Sequence, residues 1–133
     1  MGSVAIGHGF DLPCEWVIHA ASPTFLFRQL VMCSVSYTRI HPTELEESQL
    51  ASCYREALML CIQKKIHTVA FPCLGTRAHR YPIDEASKTE VQTILNVLKE
   101  HADDYERVIL CTHNPRDTKV VSDTVERLLN DLE

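Results

Sequence analysis

The chain has 133 residues, 45% hydrophobic and 23% charged, enough to bury one core of ordinary domain size. Its formal net charge of −5 excludes a general nucleic-acid grip, which needs a basic surface to displace counterions. The longest apolar stretch, near residues 25–37, is broken by Arg28 and Gln29, and residues 1–10 lack the basic flank and apolar run of a secretory signal, so an intracellular chain with no membrane span is expected.

Ser3–Ile6 reads as a short strand ended by Gly7-His8-Gly9. Residues 10–13 form a turn, and Glu15–Ala20, rich in β-formers, is a second strand that Pro23 stops. Residues 24–41 show no clear period and are expected to be a variable insertion within a single domain, 1–133. At Thr43 the pattern changes. Thr43 with Glu46 makes a capping box, and Leu50, Cys53, Tyr54, Ala57, Leu58 and Cys61 repeat along one face of a helix running to about Lys64. Lys64 and Lys65 suit its negative C-terminal end.

Ile66–Pro72 reads as a buried central strand. The next helix is expected from about Ile83 to His101, with Pro82 at or just before its first position, acidic Asp84 and Glu85 in its first turn, and an apolar stripe of Val91, Ile94, Leu95 and Leu98. Arg107–Thr112 is another buried strand. After the loop His113–Arg116, Asp117 is expected to cap a last helix with Val121, Val125, Leu128, Leu129 and Leu132 on one side. The alternation of helices and strands from Thr43 onward predicts the α/β class, with a mostly parallel sheet between helical layers.

Six cysteines without any C-x-x-C, mostly inside predicted elements, read as reduced and buried thiols. Seven histidines lack metal-ligand spacing, so neither a metal nor a cofactor is expected. The stretch Thr68–Pro82, TVAFPCLGTRAHRYP, carries the functional reading. A strand, a loop with one glycine and a helix start place backbone N–H groups beyond the carboxyl end of a strand, where α/β sheets bind anions. Leu74, Gly75, Thr76, Arg77, Ala78, His79 and Arg80 are therefore the candidate ligand-binding residues. Asn114, at the corresponding end of the 107–112 strand, is a further candidate ligand-binding residue.

These residues resemble a macro domain, the ADP-ribose-binding fold. Gly9–Ala20 resembles the family's G-x-x-L-P-x-x-x-V-I-H segment. Leu50–Leu58 resembles its L-x-x-C-Y-x-x-x-L helix. Thr68–Thr76 resembles its I-A-F-P-x-x-G-T-G strand and phosphate loop, and Pro82–Ala86 its P-x-x-x-A helix start. The four matches stand in the right order over most of residues 5–113. Two departures qualify the likeness. Arg77 and Arg80 stand where the family's phosphate loop has glycine, adding bulk and positive charge. The family's first strands, with their adenine-reading acidic residue and asparagine-rich ribose segment, match nothing in the chain.

The resemblance implies a module that binds ADP-ribose, an ADP-ribosylated protein or a related nucleotide diphosphate, weakly. The alternative is a degenerate domain with a structural or protein-interaction role, and an ADP-ribosyl hydrolase stands third. No catalytic residue is assigned. Cys73 would need a neighbouring base, and the spacing of His79 and His113 does not supply one. The resemblance makes His19 a hydrogen-bonded core histidine. It also implies an open sheet edge, covered by a homodimer or a partner chain.

Overall fold

The computed structural model describes residues 2–23 and 41–132, so the expected insertion lies outside the described residues except for His41. Strand β1 (Val4–His8) pairs antiparallel with β2 (Trp16–Ala20). Helix α1 (Glu44–Gln63) follows, then β3 (Thr68–Pro72), α2 (Ile83–His101), a 3-10 turn over Ala102–Asp104, β4 (Arg107–Cys111) and α3 (Pro115–Asn130). β3 and β4 pair parallel, Thr68 opposite Arg107 and Pro72 opposite Cys111. A parallel pair requires a crossover, which α2 supplies. The expected parallel arrangement thus holds for β3 and β4. The first two strands form a hydrogen-bonded pair of their own, antiparallel because the chain returns through the short turn at Gly9. A Cβ on Gly9 would lie 2.0 Å from the Cys14 carbonyl oxygen, so glycine alone permits this closure.

Helix α1 starts where its capping box requires. Thr43 Oγ1 accepts from Glu46 N–H at 3.2 Å, and the Glu46 carboxylate accepts from Thr43 N–H at 2.7 Å. Its predicted stripe is the core: Leu50, Cys53, Tyr54, Leu58 and Cys61 have no exposure. Fully burying a side chain such as Leu58 stabilises by about 1.5–3 kcal/mol. Lys64 caps the far end, and Lys65 turns the chain in the left-handed region at φ 56°, which delays the strand to Thr68.

Helix α2 packs against α1 and also against α3. Covered on more than one side, it buries Ser87, Thr89, Glu90 and Thr93 besides Val91, Ile94 and Val97, while Leu95 and Leu98 are only partly buried. The last helix departs from expectation at its start. Asn114, not Asp117, is its cap: Asn114 Oδ1 accepts from Asp117 N–H at 2.9 Å, and Pro115 occupies the first turn. Pro has no N–H to satisfy and suits that position. Of its apolar side, Val121 is buried with Thr124, whereas Leu129 and Leu132 are exposed.

Two further expectations are corrected. His19 is exposed on β2, because its side chain falls on the side of the strand opposite the half-buried Ile18. Among the described cysteines only Cys53 and Cys61 are buried. Cys73 is intermediate, Cys14 and Cys111 are exposed, and none forms a disulfide. Cys14 lies in a turn and Cys111 ends a strand, so neither reaches the core.

Candidate functional site

The loop that follows β3 is held from below by α1. Tyr54 Oη accepts from Leu74 N–H at 2.9 Å and donates to the Pro72 carbonyl at 3.4 Å. Gly75 then turns the chain at φ 77°, a conformation that a side chain disfavours. Thr76 Oγ1 donates to the Cys73 carbonyl at 2.8 Å, and Tyr81 N–H closes the loop on the Gly75 carbonyl at 2.9 Å. His79, half-buried, shares a hydrogen bond of 3.0 Å with Ser22 Oγ, which ties the loop to the segment after β2. Arg77, Ala78 and Arg80 are exposed. Arg80 adopts φ 53°, so the expected backbone penalty for replacing a loop glycine falls on Arg80; Arg77 is not in that region.

A cleft of about 410 Å³ lies beyond the carboxyl ends of β3 and β4. Thr76 and Arg77 line it from the first loop, Asn114 and Asp117 from the start of α3, with Cys73 and Thr112 between them. The structure thus brings three of the eight sequence-derived site residues together: Thr76, Arg77 and Asn114. Leu74, Gly75, Ala78, His79 and Arg80 shape or flank the loop without lining the cleft. The N–H groups of Gly75, Arg77, Ala78 and His79 have no partner among the described residues, whereas that of Thr76 points to the Cys73 carbonyl at 3.4 Å.

Asp117 is the cleft residue that sequence reasoning placed elsewhere. Its carboxylate accepts from Asn114 Nδ2 at 3.0 Å, so the asparagine uses both ends of its amide on the α3 cap. The N-P-x-D spacing carried that signal. Burial, with Glu90, Asp117 and Cys111 adding to it, pushes the Cys73 thiol up to about 11, away from the thiolate that a nucleophile needs. Its Sγ donates to the Cys111 carbonyl at 3.7 Å. Among the described residues no group of His, Cys, Asp and Glu is arranged to hold a metal ion, and no helix is long and apolar enough to cross a membrane.

Beneath the cleft, Glu90 on α2 is 1% exposed and lies beside Tyr54. Burial pushes its carboxyl up to about 8, while the Tyr54 hydroxyl pulls the other way. The same burial, with Glu90 adding to it, holds the Tyr54 proton well above the usual phenol range.

Comparison with known proteins gives a consistent result. The family model described as Macro domain matches residues 1–89. The chain is 33% identical over 119 residues to the ADP-ribose glycohydrolase MACROD2 of Xenopus laevis, covering 90% of this chain and 25% of that protein. It is 30% identical over 100 residues to a protein-ADP-ribose hydrolase of Staphylococcus aureus, covering 75% of this chain and 33% of that one. The macrodomain of Oceanobacillus iheyensis solved with ADP superposes with a TM-score of 0.79 at 29% identity, over 98% of this chain and 60% of that one. The chain therefore spans between a quarter and 60% of the length of these relatives. The α/β/α fold expected from the sequence is the fold of these macrodomains.

Proposed function

The chain belongs to the macro domain family, and from that premise we propose that it binds ADP-ribose, free or on a modified protein, in the cleft between the β3–α2 loop and the start of α3. The observation that carries this reading is the meeting of Thr76, Arg77 and the N-terminus of α3 around one cleft of about 410 Å³. That volume falls within the range of small-molecule sites. The amides of Gly75, Arg77 and Ala78, without a partner among the described residues, are donors of the kind that cradle phosphate, and the Arg77 guanidinium adds charge-assisted bonds. A relative of the same fold was solved with ADP.

The affinity is low. Asp117 puts a negative charge in the same cleft, and Asn114 is engaged by its cap rather than free for a ribose. A dissociation constant nearer ~1 mM than ~1 μM follows, a difference of about 4 kcal/mol. Calorimetry or chemical-shift titration with ADP-ribose tests the reading. If millimolar ADP-ribose gives neither heat nor shifts at residues 73–80 and 112–117, the module is a structural or interaction domain without a ligand.

Two relatives are named as hydrolases, which favours a second reading, removal of ADP-ribose from protein. Release of ADP-ribose from a mono-ADP-ribosylated protein at a rate above the uncatalysed one is the measurement that would establish it.

A further inference from the structure

Among the described residues, Glu90 is the carboxyl that the fold buries without a hydrogen bond. It is 1% exposed, and neither Oε1 nor Oε2 has a partner. An unpaired buried polar group is costly, and more so once it carries charge. Two titratable groups face it: Tyr54 from α1, and Cys73 from the loop after β3. From α3 the buried residues are Val121 and Thr124, neither of which titrates. No charged side chain acts on the carboxyl from α1, α3 or the rest of α2.

The Tyr54 hydroxyl links this carboxyl to the loop. It accepts from Leu74 N–H at 2.9 Å and donates to the Pro72 carbonyl at 3.4 Å. The second bond is long for a hydroxyl donor and is easily given up. A hydroxyl carries one proton, so it serves either Pro72 or Glu90. A protonated Glu90 makes little call on it. An ionised one is the stronger acceptor, because a hydrogen bond to a buried charge is the stronger kind. The hydroxyl already favours the charged carboxyl, although no hydrogen bond joins the two in the structure. The influence of Glu90 also reaches the cleft: it raises the thiol of Cys73, a lining residue.

We propose that Glu90 is a positioning residue for the β3–α2 loop and acts through Tyr54: protonated, it leaves the phenol to hold both Leu74 and Pro72; ionised, it turns the phenolic O–H from the Pro72 carbonyl onto itself and loosens the loop. Ionisation also sets a negative charge beneath the cleft. Both consequences oppose a bound anion. The coupling to ligand rests on the reading that the cleft takes the diphosphate of ADP-ribose. On that reading affinity falls as pH rises through about 8, where the Glu90 carboxyl releases its proton. Linkage is reciprocal, so a bound diphosphate favours the protonated carboxyl, and binding near that pH takes up a fraction of a proton. His113 and Asp117 line the same cleft. Glu90→Gln keeps both, so the difference between the two chains belongs to Glu90.

The test follows the full chain by NMR from about pH 6 to about pH 9.5, across the alkaline side of the carboxyl titration. The Glu90 side-chain carboxyl carbon and the Leu74 amide should share one midpoint. In Glu90→Gln the Leu74 amide should keep its low-pH position throughout. In Tyr54→Phe the carboxyl should still titrate while the Leu74 amide moves less than half as far. ADP-ribose affinity should fall about fivefold more between pH 7 and pH 9 in the unaltered chain than in Glu90→Gln, the size expected if binding moves the carboxyl from about 8 to about 9. A Leu74 amide that ignores the carboxyl midpoint, or follows it as fully in Tyr54→Phe, overturns the positioning role. Equal pH profiles of binding in the two chains overturn the coupling. If ADP-ribose binds at no pH, it is the binding reading that fails, and the ligand-free titration still decides the role of Glu90. Should Tyr54→Phe not fold, the unaltered chain against Glu90→Gln decides.

Discussion

The Tyr54 hydroxyl accepts the Leu74 N–H at 2.9 Å, fixing the second residue of the ligand-side loop to the core helix α1. Tyr54 itself has no exposure. One buried phenol therefore couples the packing of α1 to the shape of the loop that lines the cleft.

Tyr54→Phe removes the hydroxyl and leaves a partly buried N–H without an acceptor. The expected loss is about 1–3 kcal/mol of stability. Exchange at the Leu74 amide should accelerate more than exchange at the α1 amides, and ADP-ribose binding should weaken. Denaturant melts with residue-resolved exchange check this. Equal acceleration throughout α1 would mean that the ring, not the hydroxyl, was disturbed.

Glu90 makes stability depend on pH. Its carboxyl titrates near 4.5 when unfolded and at about 8 in the fold. Between those values the folded state keeps a proton that the unfolded state has released, so stability falls as pH rises, by at most about 1.4 kcal/mol per unit. The contribution is fully present below 4.5 and lost above about 8. Glu90→Gln should remove it, and the variant should gain on wild type steadily from pH 5 to pH 8. A constant difference in melting temperature across that range would place the Glu90 titration elsewhere.

The two loop arginines should separate. Arg80 lies at φ 53° and outside the cleft, so Arg80→Gly should raise stability by roughly 0.5–1 kcal/mol and leave ADP-ribose binding within twofold. Arg77 lines the cleft, and Arg77→Gly should weaken binding and flatten its salt dependence. Tighter binding by Arg77→Gly would show that the side chain obstructs the site.

Thiol reactivity should sort by depth. Cys14 and Cys111 are exposed and should label in the native protein, while Cys53 and Cys61 should label only on denaturation. Burial also raises both inner thiols, which keeps them protonated and unreactive. Peptide mapping after timed alkylation reads each site separately. Rapid native labelling of Cys53 or Cys61 would contradict the packing of α1.

Much of this protein was written locally in its sequence. Thr43 and Glu46, three residues apart, set the start of α1, and its six buried positions follow a helical period, because capping and amphipathicity act within one or two turns. Gly75 needed its positive φ whatever surrounded it. The α3 cap was misplaced, because Asp117 was expected there, whereas Pro115 in the first turn makes Asn114 the cap. Other features were decided only when distant segments met. Glu90 is buried because α2 is covered by both α1 and α3, which no period within α2 reveals. Thr76 and Asn114 share a cleft because β3 and β4 run parallel, and Arg80 is left outside it. Hydrogen bonding along the chain is local and can be read from neighbours, whereas the pairing of strands and the burial of charge are settled by contacts between residues far apart in sequence.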